Sequence, residues 1–223
     1  MDSLSLFSIG LAGFAAGAVH VVTGPDHLAA VAPLAIQENK RPWILGLKWG
    51  LGHASGVVLV AVFAWLLRET LRVEVFSSHC ERLVGLMLIA IGIWGLRRAF
   101  GVHAHPHRHP ADHPTEHTHL HLHAERDHRS HTHAALGVGI LHGLAGASHF
   151  LGVLPALAMP TRTAAAVYLV LFGTGTIVSM SGFSFLIGNV GSRLAHSGLN
   201  YFRGIAATLS TASIALGIFW IAH

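Results

Sequence analysis

His20, Asp26 and His27 stand within eight residues of one another in an otherwise apolar stretch. An ionisable side chain at the centre of a bilayer costs roughly 2.5–3.5 kcal/mol even on the mildest insertion scale. Three of them so close together will not face lipid. Gly24-Pro25 lies between the two histidines. Proline removes a backbone donor and turns the residue before it away from helix. In a straight helix the imidazoles would sit about 10.5 Å apart along the axis. A break there lets both rings and the carboxylate converge, and frees backbone carbonyls as extra ligands. Imidazole suits nickel, cobalt, zinc and copper, and a carboxylate adds a harder oxygen that offsets part of the ion's charge. The plainer reading is that the three residues only pair with one another to hold helices together. Such bonds average about 0.6 kcal/mol inside a membrane, a small return for the cost.

The second half of the chain carries a related pattern, His142-Gly-Leu-Ala-Gly-Ala-Ser-His149. Its histidines are again seven apart, Ser148 stands where Asp26 does, and a proline follows six residues later in both copies (Pro33 and Pro155). The segment after the first motif holds Gly50-Leu51-Gly52-His53, and its counterpart is Gly173-Thr174-Gly175-Thr176. His53 adds a fifth imidazole at membrane depth, and Thr176 can offer a hydroxyl. The expected metal ligands are therefore His20, Asp26, His27, His53, His142 and His149, with Ser148 and Thr176 as secondary polar contacts. A third cluster lies in Gly101–His133, which holds 12 of the 20 histidines. Its alternating His117, His119, His121 and His123 can chelate metal without a fold, since neutral imidazole is the commonest protein metal ligand. The bland alternative is a low-complexity linker.

These residues need elements to hold them. Only 11% of the 223 residues are charged, against roughly 25% in an average soluble domain. A hydrocarbon core about 30 Å thick needs about 20 apolar residues per helix. Six segments qualify: Leu4–Val22 continuing after the break through Leu28–Ile36, then Trp43–Leu67, Arg82–Phe100, Ala135–Leu157, Ala164–Asn189 and Phe202–Ala222. The expected fold is an all-α integral membrane protein of six transmembrane helices. Residues 1–100 form one three-helix repeat and 134–223 a second. Residues 101–133, with few large apolar side chains, form a disordered histidine-rich loop. An odd number of helices per repeat inverts one half relative to the other, and the first and fourth helices are broken.

Basic residues set the orientation. With the N-terminus outside, ten Lys and Arg fall on the cytoplasmic side, from Lys40 and Arg41 through Arg203, against Arg68, Arg72, Arg82 and Arg162 outside. Both termini are then external and the histidine loop is cytoplasmic, in a cell inner membrane. The N-terminus lacks a basic leader region, so the first apolar run is read as a retained helix. The formal charge of +4 comes from clusters at helix ends and does not call for nucleic acid. Trp and Tyr near helix ends are read as interface anchors.

The His20–His27 motif, Gly50–His53 and His142–His149 resemble the nickel–cobalt transporter family. They are most similar to its shorter six-helix branch of urease-accessory-type nickel permeases and nickel–cobalt efflux proteins, where a histidine loop between the halves also recurs. The family signature has four residues between the first histidine and the Asp-His pair, and this chain has five. The resemblance implies transport of Ni²⁺ or Co²⁺, with His20, Asp26, His27 and His53 as carried-over contacts.

The resulting expectation is a divalent-metal permease working by alternating access. Its partners are the bilayer and the transported ion, without a resident cofactor. A metal-binding sensor or accessory scaffold that moves nothing is the main alternative, and a carrier of a non-metal solute is another. An enzyme is not expected, since neither His20 nor His142 opens an HExxH pattern. The single cysteine, Cys80, excludes a thiol-electron carrier that needs a pair.

Overall fold

The computed structural model describes residues 3–38, 41–66, 73–107, 117–122, 130–144 and 148–222. Among these, the side chains at 61, 63–66, 73–78, 80, 102–107, 117–122, 130–134, 148–151 and 153 are not described.

The first apolar stretch folds as two helices. α1 (Ser3–Thr23) is long enough, at about 31 Å, to cross the hydrocarbon core. It stops at Gly24, whose backbone is extended (φ −84°, ψ 100°), and α2 (Pro25–Ala35) starts with proline in its first turn, where a missing N–H costs nothing. Pro33 lies inside α2, and the chain leaves helix soon after, at Ile36. Gln37 ties that end down, its Nε2 donating to the Pro33 carbonyl at 2.8 Å and the Gly95 carbonyl at 3.2 Å.

α3 (Pro42–Leu66) and α4 (Val73–Phe100) complete the first half. α4 begins nine residues before the expected Arg82. Its first turns carry Glu74, His79, Glu81 and Arg82, so the helix extends beyond its apolar span of Glu81–Phe100. The second half holds α5 (Ser130–Leu144), α6 (Ser148–Leu157), α7 (Arg162–Ser197) and α8 (Leu199–Ala222). The expected fourth segment is thus a pair of short helices. α7 runs past the expected Asn189 to Ser197. Thr161 caps its start, accepting from the Ala164 N–H at 3.2 Å, and Gly198 ends it with φ 147°, a conformation that a Cβ would strain. Among the described residues, five helices are long and apolar enough to cross a membrane. The protein is a multi-pass membrane protein.

One expectation is corrected between the halves. Where a wholly disordered loop was expected, β1 (Val102–His107) and β2 (His117–Leu122) pair as an antiparallel ribbon. The alternating residues that looked like a flexible chelator also have the period of a strand. In this register His103 pairs with His121, His105 with His119 and His107 with His117. His123 lies outside the described residues.

Three helix pairs make the most extensive contacts: α1 with α7, α3 with α5, and α4 with α8. Glycines let their backbones meet. A Cβ on Gly17 would run into the Phe172 carbonyl, and one on Gly139 into the Trp49 carbonyl. Gly175 likewise abuts Phe14 and Gly52 abuts Leu136, while Gly85 and Gly217 face each other across α4 and α8. Lipid offers no hydrophobic drive to bring helices together, so this close van der Waals contact must do so. The outer surface is apolar, with Leu4, Phe7, Val170 and Leu186 exposed, while Asp26, His27, Gln37, His53, His142 and Thr176 are buried.

Candidate metal site

The break at Gly24 determines where the first motif goes. The His27 and Leu28 amides take up the Gly24 carbonyl, so α2 starts at once and its first turn presents Asp26 and His27 inward. His20 lies one turn before the end of α1. His53 comes from the middle of α3, and His142 from the last turn of α5. Asp26 is 3% exposed, and His27, His53 and His142 are wholly buried. His20 is partly buried.

These five residues converge. His27 Nδ1 lies 3.0 Å from Asp26 Oδ1, and His142 Nε2 lies 3.2 Å from the other carboxylate oxygen. His27 Nε2 lies 3.4 Å from His53 Nε2. The His20 and His53 rings are 5.7 Å apart, centroid to centroid. Two sets of three donors, His20 with His27 and His53, and Asp26 with His27 and His142, each lie within 4.8 Å of one another. Imidazole nitrogens and a carboxylate in such close array are the donor set of a borderline transition metal. A carboxylate beside the rings would offset part of a divalent ion's charge.

The remaining expected residues stand apart or are not described. Thr176 is buried, but its hydroxyl bonds the Phe172 carbonyl at 3.0 Å, with the Gly17 carbonyl at 3.4 Å. It lines, with His53, a small cavity also bounded by Val57, Leu169 and Phe172. Ser148 and His149 lie in α6 with their side chains outside the described set. The same holds for His117, His119 and His121 in β2.

Two aromatic residues escaped the sequence reading. Phe172 packs 5.6 Å from His20, and Trp49 lies 6.0 Å from His142, both buried. Each stands four residues before a matched position of the repeat, Thr176 and His53, which is the signal that could have found them. Trp43 and Tyr201 are exposed near helix ends, as anchors would be; Tyr168 is buried beside Phe172.

Residues 7–218 match the family described as the cytochrome C biogenesis protein transmembrane region. The chain belongs to that family. Three relatives are identical to this chain at about a third of the aligned residues. "Chloroplast protein FOR GROWTH AND FERTILITY 1" of Arabidopsis thaliana is 32% identical over 92% of this chain and 56% of its own. "Chloroplast protein FOR GROWTH AND FERTILITY 2" of the same plant is 32% identical over 92% and 54%. "Urease accessory protein UreH" of Bacillus sp. (strain TB-90) is 31% identical over 84% of this chain and 79% of its own. The chain therefore spans about half the length of the two chloroplast relatives. No solved structure matches it.

Proposed function

We propose that this chain is a membrane permease for divalent transition-metal ions, with Ni²⁺ or Co²⁺ as cargo, working by alternating access between two inverted three-helix halves. The observation that carries the reading is the convergence of four imidazoles and one carboxylate inside a membrane bundle. A purely structural cluster would not need so many groups that lipid tolerates so badly. The urease accessory relative agrees with the nickel-permease branch that the motifs resemble. Dithiol chemistry is unavailable within a chain whose single cysteine is Cys80.

Paired contacts support the inverted repeat. If residues 17, 49 and 52 of the first half correspond to 139, 172 and 175 of the second, the Gly17–Phe172 contact maps onto Gly139–Trp49. By the same correspondence Gly175–Phe14 maps onto Gly52–Leu136. The α4–α8 pair maps onto itself, Gly85 against Gly217 matching Gly92 against Ser210. Sites at the interface of inverted repeats, on broken helices, are the plan of many secondary transporters. The histidine segment between the halves would gather or hold metal on the cytoplasmic side.

The test is uptake by proteoliposomes of purified protein, offered Ni²⁺, Co²⁺, Zn²⁺, Mn²⁺ and Fe²⁺ separately. Uptake of Ni²⁺ or Co²⁺ above empty vesicles is expected. Tight binding without movement of any of the five ions would make the protein a sensor or scaffold.

A further inference from the structure

The five site residues fall into two groups of three that share His27. Its ring is the hub, with centroids 4.6, 4.8 and 4.7 Å from those of His20, His53 and His142. Its two nitrogens face different partners: Nδ1 lies 3.0 Å from Asp26 Oδ1, and Nε2 lies 3.4 Å from His53 Nε2. Two donors on one ion, with bonds of about 2.0–2.1 Å, stand about 3.0–3.4 Å apart. The His27–His53 separation and the 3.2 Å between His142 Nε2 and Asp26 Oδ2 both fall in that span.

We infer that the cluster is two adjacent ion stations joined by His27, one of three imidazoles and one containing the carboxylate, and that a transported ion steps between them across the His27 ring. This deepens the permease reading and rests on it. The stations exclude each other for a chemical reason. A neutral imidazole has one ring lone pair available to a metal at a time. While Nε2 ligates beside His53, the ring's hydrogen is on Nδ1, toward Asp26. While Nδ1 ligates beside Asp26, that hydrogen is on Nε2. As the ion moves to Nδ1 that nitrogen gives its proton to water, and Nε2 takes one from water as the ion leaves it, so the ring holds one hydrogen in both states and the step consumes no net proton. Two divalent ions one ring apart would also repel each other.

The stations differ in what holds them. His20, His27 and His53 all come from the first half of the chain, on α1, α2 and α3. The second station recruits His142 from α5. A shift of α5 against α2 makes or breaks the second station directly. It leaves the three donors of the first on their own helices, so movement between the halves can drive the step.

The experiment uses full-length protein with Co²⁺ or Ni²⁺ as probe, measuring stoichiometry by equilibrium dialysis and ligand type by X-ray absorption. Wild type should bind one ion. His53→Ala and His142→Ala should each still bind one ion, at least tenfold more weakly, and neither should transport. The ion in His142→Ala should be ligated by imidazoles, and that in His53→Ala by a carboxylate oxygen with fewer imidazoles. His27→Ala should bind none. Where an alanine variant does not elute like wild type, His53→Gln or His142→Gln replaces it. Loss of all binding in either single variant, or identical coordination in both, would overturn the two stations and leave the permease reading intact. Wild type that binds in this pattern but moves no ion would instead overturn the permease reading.

Discussion

Asp26 is the one acid among the five converging residues, and both of its oxygens are engaged, one with His27 and one with His142. Asp26→Asn keeps the shape and removes the charge. Breaking one partner of a buried, hydrogen-bonded charged contact costs about 2–5 kcal/mol. The expected outcome is a fall in Ni²⁺ or Co²⁺ affinity of about 100-fold or more, read by titration of purified protein; unchanged affinity would remove Asp26 from the site. His27→Ala should abolish transport with near-normal expression. Acid should weaken binding, because a ligating nitrogen cannot also hold a proton, and binding should release protons into weakly buffered solution. A flat affinity between pH 8 and pH 5 would count against imidazole ligation. Much of this was legible from residue types alone. Ionisable groups in an apolar run stand out, and the Gly24-Pro25 break showed how they could meet. What could not be read was the partner of Asp26. His142 reaches it across the halves, a contact set by the packing of α5 on α3 and not by local spacing. Trp49 and Phe172 were hidden for the opposite reason, since an aromatic residue in an apolar helix carries no local mark of the ring beside it.

At the scale of elements, the glycines divide by what faces them. Gly17 abuts the backbone of Phe172, whereas Gly182 and Gly204 have nothing within 4 Å. Gly17→Ala must push α1 from α7 and should destabilise by about 1–3 kcal/mol, the usual range for overpacking. Gly182→Ala and Gly204→Ala should be neutral or stabilising by up to about 1 kcal/mol, from helix propensity. Thermal denaturation followed by size exclusion separates the two classes, and equal losses at all three positions would refute the close-contact account. The apolar cores of the helices were legible because about 20 such residues are needed to span lipid. Their ends were not. α4 starts at Val73 and α7 runs to Ser197 because a helix can leave the bilayer and continue on polar residues, so hydropathy marks the membrane and not the helix. The ribbon of β1 and β2 is not legible in composition, because low apolar content points to lack of structure and alternating histidines suit a chelator as well as a strand.

For the molecule as a whole, the orientation we propose, with the histidine segment cytoplasmic, rests on the excess of Lys and Arg on that side. Thr118→Cys in a Cys80→Ala background should resist an impermeant thiol reagent in intact cells and react after permeabilisation. Ready labelling in intact cells would reverse the topology. The contact between Asp26 and His142 has a consequence for how the chain is made. Synthesis runs from the N-terminus, so Asp26 enters the bilayer long before His142 leaves the ribosome, and in that interval the carboxylate has lost its second partner. The early half should then be exposed to membrane quality control until the late half arrives. Splitting the gene between Asp112 and His113 should leave the first product short-lived when made alone, and co-expression of the second should lengthen its half-life in a pulse-chase. Asp26→Asn should lengthen the lifetime of the lone first half, even though it harms the finished protein, because an amide waits in lipid at less cost than a carboxylate. On this account the residue that gives the finished site its charge is the one expected to shorten the life of the unfinished chain.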